Sequence, residues 1–539
     1  MHGVALLLAA AAAGFVAARW LGLPPLPLLL LAGVGLGLVH PPETAVLQDA
    51  LLLGAALLLF VSGMELDPGR MRAQRRAALR VGGAQFAGLA VAGFATAGLL
   101  GFAAVEAAYL ALALTASSTL VCVRLLARRQ QMFEPFGRLV LGVLLLQDVL
   151  VLLAIPLVSE LGAPWGDALR SLGGVLVLGG ASLAVRRWGA PLLLRVRDEE
   201  EMLVLGSLAI LFLFVGAASA LELPLVVGAF AAGYGLARFP VRQIVRVELA
   251  PVGDFFTALF FVALGALVGI PTPGQLLQAG ALALVVVVVT PPLVAAVAER
   301  EGFTVRSALE AGLMLSQTSE ISLVIGLGGM VAGHIGGDVF SVIALVTMGT
   351  MLLTPAISTD DAAWRLTHLH PSRWGTPPAT EHPGGHVVLL GCGSTAMPLA
   401  EMLLLAGRDV AVVDEDPAVL DRLEGTPFRL VRGDASDPRI LDRAGVDEAA
   451  VVVSTVRRPR DNAALLDRVG DEIPVLVRVF EEADARWVRQ MGGAPVLYPE
   501  AAADALLEWY EEVREELDAR LTDRAAAGGD GTPRRPGRS

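Results

Sequence analysis

The sequence predicts a two-part chain: a polytopic α-helical membrane domain of about thirteen spans, followed by a smaller cytoplasmic α/β domain. Three observations predict it. Of 539 residues, 55% are hydrophobic and only 17% charged, outside the usual balance of soluble domains. Apolar segments long enough to cross a bilayer follow one another from Val4 to about Ala356. Beyond them, short apolar runs alternate with amphipathic stretches, the βαβ pattern of a doubly wound parallel sheet.

The first segment, "MHGVALLLAAAAAGFVAARW", has no basic region before its apolar core and carries Arg19 only after it. That is not the order of a signal peptide, so it reads as a first membrane span. All 41 basic residues are arginines, which fits coding bias in a high-GC genome and leaves histidine as the only basic side chain able to exchange protons. Arginines cluster at Arg70 to Arg80, Arg124 to Arg138, Arg186 to Arg197, Arg238 to Arg246, and Arg300 and Arg306. The alternate loops ("HPPET", "SELGAPWGD", "GIPTPG", "VAGHIGGD") have none, and Arg170 alone sits near an outer end. Cytoplasmic loops retain positive charge. The pattern therefore predicts an odd number of spans in the inner or plasma membrane, with the N-terminus outside and the C-terminus in the cytoplasm. The two cysteines, Cys122 and Cys392, lie in unlike contexts, so neither a disulfide framework nor a metal site is expected.

Within the spans one carboxylate stands out. Asp148, in "LLLQDVLVLLAIPL", falls near the midpoint of an apolar run. An ionised side chain there costs several kcal/mol, so an acid at that depth is expected to face a wet cavity or a partner. Gln147 beside it adds amide donor and acceptor capacity without a second charge. The preceding span has Thr115, Ser117, Ser118 and Thr119 at its centre. Beside a membrane carboxylate, such a hydroxyl cluster marks an interrupted helix whose half-helix ends bind ions. A second polar centre follows at Ser316, Gln317, Thr318, Ser319 and Glu320, as the matching helix of an inverted repeat requires. Glu65, Asp67 and Asp254 lie where spans begin or end and read as caps.

From Ser358 the character changes to a polar, Pro/Gly-rich linker, 358–385, which separates residues 1–357 from a second domain at 386–524. "HVVLL", "DVAVVD", "FRLVRGD", "AAVVVS" and "PVLVRVF" read as strands. The first runs into a glycine turn that opens a helix. Gly391 permits the turn, Gly393 lets the backbone approach a phosphate, Ser394 and Thr395 follow, and Ala396 is small enough for helix-strand packing. The next strand ends at Asp414, followed by Glu415, about 20 residues on, where an acid can accept ribose hydroxyls. A charged helix runs near Pro499 to Arg520, and the tail 525–539 has a disordered composition. From Glu381 onward 30 Asp and Glu face 19 Arg, which argues against nucleic-acid binding.

"GMELDP", "ALTASSTLV", "LLQDV", "GAFAAGYGLA", "FFVALGALV" and "LSQTSEISLV" resemble, in order, the monovalent cation:proton antiporter family 2, most of all its Kef-type potassium/proton antiporters. The resemblance implies a thirteen-helix inverted repeat with two crossing broken helices, and a homodimer. It implies that Asp148, with Gln147, binds either a cation or a proton. Thr115, Ser117, Ser118, Thr119, Gln317 and Glu320 would complete the transport site. One titratable group implies electroneutral exchange of a proton for K+, favoured over Na+, by a secondary transporter rather than an enzyme. The family's lysine before the second break is matched by Thr290.

"VVDEDP", "VRGDASDP" and "VLVRVFEEADARWVRQMGGAPVLYPE" resemble the TrkA-N, or RCK-type, regulatory domain, a Rossmann-like fold that pairs as dimers. From it Asp434 and Ala435 would line an adenosine pocket, and the ligand would be NAD(H) or an adenine nucleotide such as AMP, in a regulatory role. Kef systems sense glutathione adducts here; Arg478 and Asn462 are only candidate counterparts, which does not extend glutathione gating to this chain. An auxiliary cytoplasmic subunit is left open. Two rival functions make different demands on the sequence. A nucleotide-gated channel would need a filter of the Thr-Val-Gly-Tyr-Gly type, yet the only "GYG", Gly233 to Gly235, follows "AFAA" inside an apolar span. A membrane-anchored nicotinamide oxidoreductase would need an acid-base constellation near the glycine loop, and none is legible.

Overall fold

Long apolar runs leave the backbone of a bilayer-spanning segment to satisfy itself within a helix, and the chain does so except at two polar interruptions. A computed structural model describes residues 2–40, 44–65, 74–129, 131–132, 134–161, 164–190, 200–238, 241–370, 384–393, 396–456, 458–469 and 472–527. The first unit, Met1–Gly375, has helices and no strand among its described residues. It runs α1 (His2–Leu21), α2 (Pro25–Val39), α3 (Thr44–Glu65), α4 (Arg75–Leu99), α5 (Ala104–Leu114), α6 (Thr119–Arg128), α7 (Pro135–Ser159) and α8 (Trp165–Ala184). It continues through α9 (Glu200–Ala220), α10 (Leu225–Leu236), α11 (Val241–Leu267), α12 (Pro273–Arg300), α13 (Val305–Met314), α14 (Ile321–Val331), α15 (Gly337–Ile357) and α16 (Asp360–Leu369).

Among the described residues ten helical segments are long and apolar enough to cross a membrane, the interrupted α5 and α6 counting once. Three shorter apolar helices, α2, α10 and α14, bring the number to thirteen. The two interrupted spans, α5/α6 and α13/α14, are the fifth and the twelfth. Their offset of seven is odd, so the chain crosses in opposite directions at the two breaks, the relation an inverted repeat requires.

Lipid supplies no hydrophobic drive between helices, so close backbone approach at small residues carries the packing. At Gly33 of α2 an added Cβ would lie 2.1 Å from the Val262 carbonyl oxygen of α11. Reciprocally, one on Gly265 would lie 2.1 Å from that of Leu30. Only glycine allows this seam.

The structure departs from the sequence expectations at three places. Composition assigns 358–385 wholly to a linker, yet Asp360–Leu369 is a helix. Thr359 caps it by accepting from the Ala362 N–H at 3.3 Å, and acids occupy its first turn, which suits the helix dipole. Asp254 is no cap: α11 begins at Val241, leaving Asp254 exposed in the helix interior. The tail begins later than read, because the last helix continues to Ala527; residues 528–539 and Asp67 lie outside the described residues.

The second unit, Thr376–Ser539, is α/β. Its elements are β1 (Val387–Leu390), α17 (Met397–Leu405), β2 (Val410–Asp414), α18 (Pro417–Leu423), β3 (Arg429–Arg432), α19 (Pro438–Ala444), β4 (Val451–Ser454), α20 (Ala463–Val469), β5 (Val475–Val479), α21 (Glu482–Gln490), β6 (Ala494–Leu497) and α22 (Tyr498–Ala527). The six strands are parallel in the order β3-β2-β1-β4-β5-β6, with Val387 opposite both Val410 and Val451. This is the doubly wound order whose switch point, between β1 and β4, opens a crevice at the carboxyl ends of the strands. β6 went unread in the sequence. It alternates exposed and half-buried residues and contains Pro495, which an edge strand tolerates.

Candidate functional site: a double helix break and a glycine turn

In the membrane unit the first break spans the residues between Leu114 and Thr119. α5 stops at Thr115, whose hydroxyl turns back onto the Leu112 carbonyl at 2.7 Å. α6 starts from Ser118, whose Oγ accepts from the Val121 N–H at 3.3 Å. The second break runs from Leu315 to Glu320. There the Ser316 hydroxyl bonds Gly312 at 2.7 Å and the Thr318 N–H donates to Thr350 Oγ1 at 3.1 Å.

The two breaks are bonded to each other. Ser117 Oγ donates to the Leu315 carbonyl at 2.8 Å, Cys122 Sγ to that of Met314 at 3.4 Å, and Ser322 Oγ to that of Ala113. Each break thus satisfies carbonyls that the other leaves free. From α7, Gln147 Oε1 accepts the Ser117 N–H at 3.0 Å. Gln317 donates to Cys122 Sγ at 3.2 Å.

Asp148 is 4% exposed and Glu320 is 9% exposed. Ser62 of α3 donates to Asp148 Oδ2 at 3.4 Å. Glu320, with Ser118 and Ser319 beside it, and Glu65, itself paired with Arg246 at 2.9 Å, lie within electrostatic reach of Asp148. Among the described residues no arginine or histidine pairs with Asp148 or Glu320. Asp148 and Glu320, buried and with no basic partner among the described residues, need protons or a bound cation to offset their charge.

Oxygen atoms suited to a cation stand nearby in sequence: Thr119 Oγ1, Gln317 Oε1 and Glu320 Oε2 are buried and without a hydrogen-bond partner. Hard monovalent cations take oxygen ligands of this kind. Thr290, where the resemblance implies a lysine, is fully buried, and its hydroxyl is also unpartnered. The breaks bring together Ser117, Ser118, Gln147, Asp148, Gln317 and Glu320, whereas the Thr115 hydroxyl caps its own helix. Ser62 and Gln85 were missed. Each is a single polar residue on an apolar helix, and only its buried position at mid-span could have marked it.

In the second unit β1 leads into Gly391, held at φ +79° with its N–H on the Val413 carbonyl at 2.7 Å. That left-handed conformation is open to glycine at little cost. At Gly393 nothing lies within 4 Å of an added Cβ, so a ligand can approach the backbone there. Ser394 and Thr395 lie outside the described residues. Ala396 is buried ahead of α17.

Asp414 ends β2 and clasps the turn: the Cys392 N–H donates to its Oδ2 at 2.6 Å and the Asp416 N–H to its Oδ1 at 2.8 Å. The Glu415 N–H is also within its reach. Burial raises the Asp414 carboxyl above its usual 3.8, and these N–H groups partly oppose the rise. Burial, then the Asp414 charge, pushes the Cys392 thiol up to about 11, so it stays protonated.

Asp434 and Ala435 follow β3, beside β2, and the Gly433 N–H bonds the Asp414 carbonyl at 3.1 Å. The Asp434 carboxylate is turned onto its own loop, accepting from the Ser436 N–H at 2.9 Å. Arg478 donates to the Thr455 carbonyl and lies 5.2 Å from the Phe480 ring centre, while Thr455 Oγ1 donates to the Gly391 carbonyl at 2.9 Å. Asn462 is buried and bonds the Pro459 carbonyl at 3.0 Å.

Comparison with known proteins agrees with this division. The sodium/hydrogen exchanger transmembrane family model matches residues 4–359, and the TrkA-N domain model matches residues 387–499. The glutathione-regulated potassium-efflux system protein KefC of Klebsiella pneumoniae strain 342 is 28% identical over 486 residues, covering 86% of this chain and 76% of that protein. KefC of Salmonella typhimurium is 28% identical over 472 residues, covering 83% of this chain and 73% of its own. The solved sodium proton antiporter MjNhaP1 of Methanocaldococcus jannaschii covers 68% of this chain and 98% of its own at 16% identity, with a TM-score of 0.53. That likeness establishes the shared fold. By its matched membrane domain, the chain belongs to the sodium/hydrogen exchanger family, in the Kef-type arrangement with a C-terminal TrkA-N domain.

Proposed function

We propose that this protein exchanges a monovalent cation, K+ in preference to Na+, for a proton, and that Asp148 is the group for which the two compete. One observation carries the reading: a buried carboxylate, with no basic partner among the described residues, beside two helix breaks bonded to each other. A cation there offsets the charge when the proton leaves, and a proton does so when the cation leaves. Gln147 holds the first break through Ser117, and Ser118, Thr119, Gln317 and Glu320 offer further oxygen ligands. The preference for K+ is supported by the potassium-efflux relatives. One exchangeable proton at Asp148 per cation makes the cycle electroneutral.

The glycine turn and Asp414 support binding of NAD(H) or an adenine nucleotide such as AMP as a regulator. The alternating arginine loops support an outside N-terminus and a cytoplasmic TrkA-N domain, and a homodimer is the expected assembly. The test is collapse of an imposed pH gradient in inverted vesicles on adding K+ or Na+, for the wild type and Asp148→Asn. Dissipation by the wild type alone is expected. Equal behaviour of the two proteins would overturn the role of Asp148.

A further inference from the structure

α4 buries one face, Ala77, Ala78, Val81, Gly82, Gln85, Leu89, Gly93 and Ala97, along which Ala78, Gly82, Gln85, Leu89, Gly93 and Ala97 follow at steps of three or four. Gln85 is its only polar member and is fully buried. The glycines on its face mark the helices that pack there. An added Cβ on Gly82 would meet Leu146 of α7 at 2.9 Å, next to Gln147. One on Gly93 would meet Leu114 at 2.9 Å, the last residue before the first break. α4 therefore lies flat against both α7 and α5, with Gln85 between the two contacts.

From there the Gln85 amide reaches both breaks. Its Nε2 lies 3.4 Å from Ser117 Oγ and 3.4 Å from the Leu315 carbonyl oxygen. These are long bonds, but they close a triangle whose third side is the 2.8 Å bond from Ser117 to Leu315. The Ser117 N–H in turn holds Gln147 Oε1. Gln85 Oε1 is buried without a partner, so the amide is not oriented by its oxygen: the donor end decides where it sits.

We infer that Gln85 is a positioning residue for cation selection: it sets the spacing of the two breaks and, through Ser117, the orientation of the Gln147 amide beside Asp148. This rests on the exchange reading above. Cations are discriminated by the number and placement of the oxygens that replace their hydration shell. Loosening this spacing should therefore alter which cation fits before it alters how fast the protein turns over.

The test is Gln85→Met, which nearly conserves volume and removes the donor, assayed with Ser117→Ala and the double variant. Half-saturating K+ and Na+ concentrations are read from exchange in vesicles, and cation-dependent thermal stabilisation is read on the purified full chain. The expected result is a rise of about tenfold in half-saturating K+, a changed K+/Na+ ratio, and a maximal rate near that of the wild type. The double variant should be no worse than Ser117→Ala alone, the non-additivity of residues acting through one another. A fall in maximal rate with unchanged cation ratio, or additive effects, would show mere packing and overturn the inference. Loss of folded Gln85→Met protein would do the same if Gln85→Leu also fails to fold, since the residue would then be structural. Failure of the exchange reading is separately visible, as a wild type indistinguishable from Asp148→Asn.

Discussion

Replacing Asp414 by Ala tests the proposed nucleotide site at its most determinate point. Backbone N–H groups of Cys392 and Asp416 occupy one direction on each carboxylate oxygen, at 2.6 and 2.8 Å. A carboxylate offers about four acceptor directions, so ribose hydroxyls can use those left over. At about 1.5 kcal/mol for a hydrogen bond to a charged acceptor, losing one ribose contact weakens binding roughly tenfold and losing two roughly a hundredfold. The assay is calorimetric titration of the purified full-length protein with AMP and with NADH. The 2′-deoxy form of AMP provides the internal control. It should bind more weakly than AMP to the wild type and equally to Asp414→Ala, because the hydroxyl it lacks has no partner in the variant. Affinity within about threefold of the wild type, with the deoxy penalty intact, would refute the role of Asp414 whatever the variant does to the turn.

Nucleotide affinity should also depend on pH. Burial raises the Asp414 carboxyl above 3.8, so the folded protein keeps this proton to a higher pH than the unfolded chain does. The shift contributes stability below 3.8 and loses it as pH rises through the folded value, while the ionised acceptor that ribose needs appears over the same range. Binding should therefore strengthen as pH rises from the acid side, and a flat profile in titrations of the wild type against Asp414→Asn would exclude this group. In the membrane unit, Gly33→Ala drives a methyl against a backbone carbonyl only 2.1 Å away and should destabilise by about 1–3 kcal/mol. Gly35→Ala, with nothing within 4 Å, should be neutral within about 0.5 kcal/mol. Thermal unfolding in detergent compares them, and equal melting temperatures would contradict the α2–α11 seam.

Local pattern alone determined the membrane class, the positions of both helix interruptions, the glycine turn and the acid that ends β2. Each depends on residues close in sequence: a run of apolar side chains, hydroxyls where a helix cannot keep its own bonds, or a strand followed by Gly391 and then Asp414. The helix Asp360–Leu369 was hidden because its capping residues sit in a segment whose average composition is that of a linker. Only the packed structure decided which of the polar residues meet. Ser62 is 86 residues from Asp148, and Gln85 is 230 residues from Leu315, so no short window contains either pair. It also separated Thr115 and Asp434, whose side chains serve their own helix end and loop, from Ser117, which joins the breaks. A residue's secondary structure follows from its neighbours in the chain, but its hydrogen-bond partner in a dry interior is whichever polar group close packing delivers, and that is a property of the whole bundle.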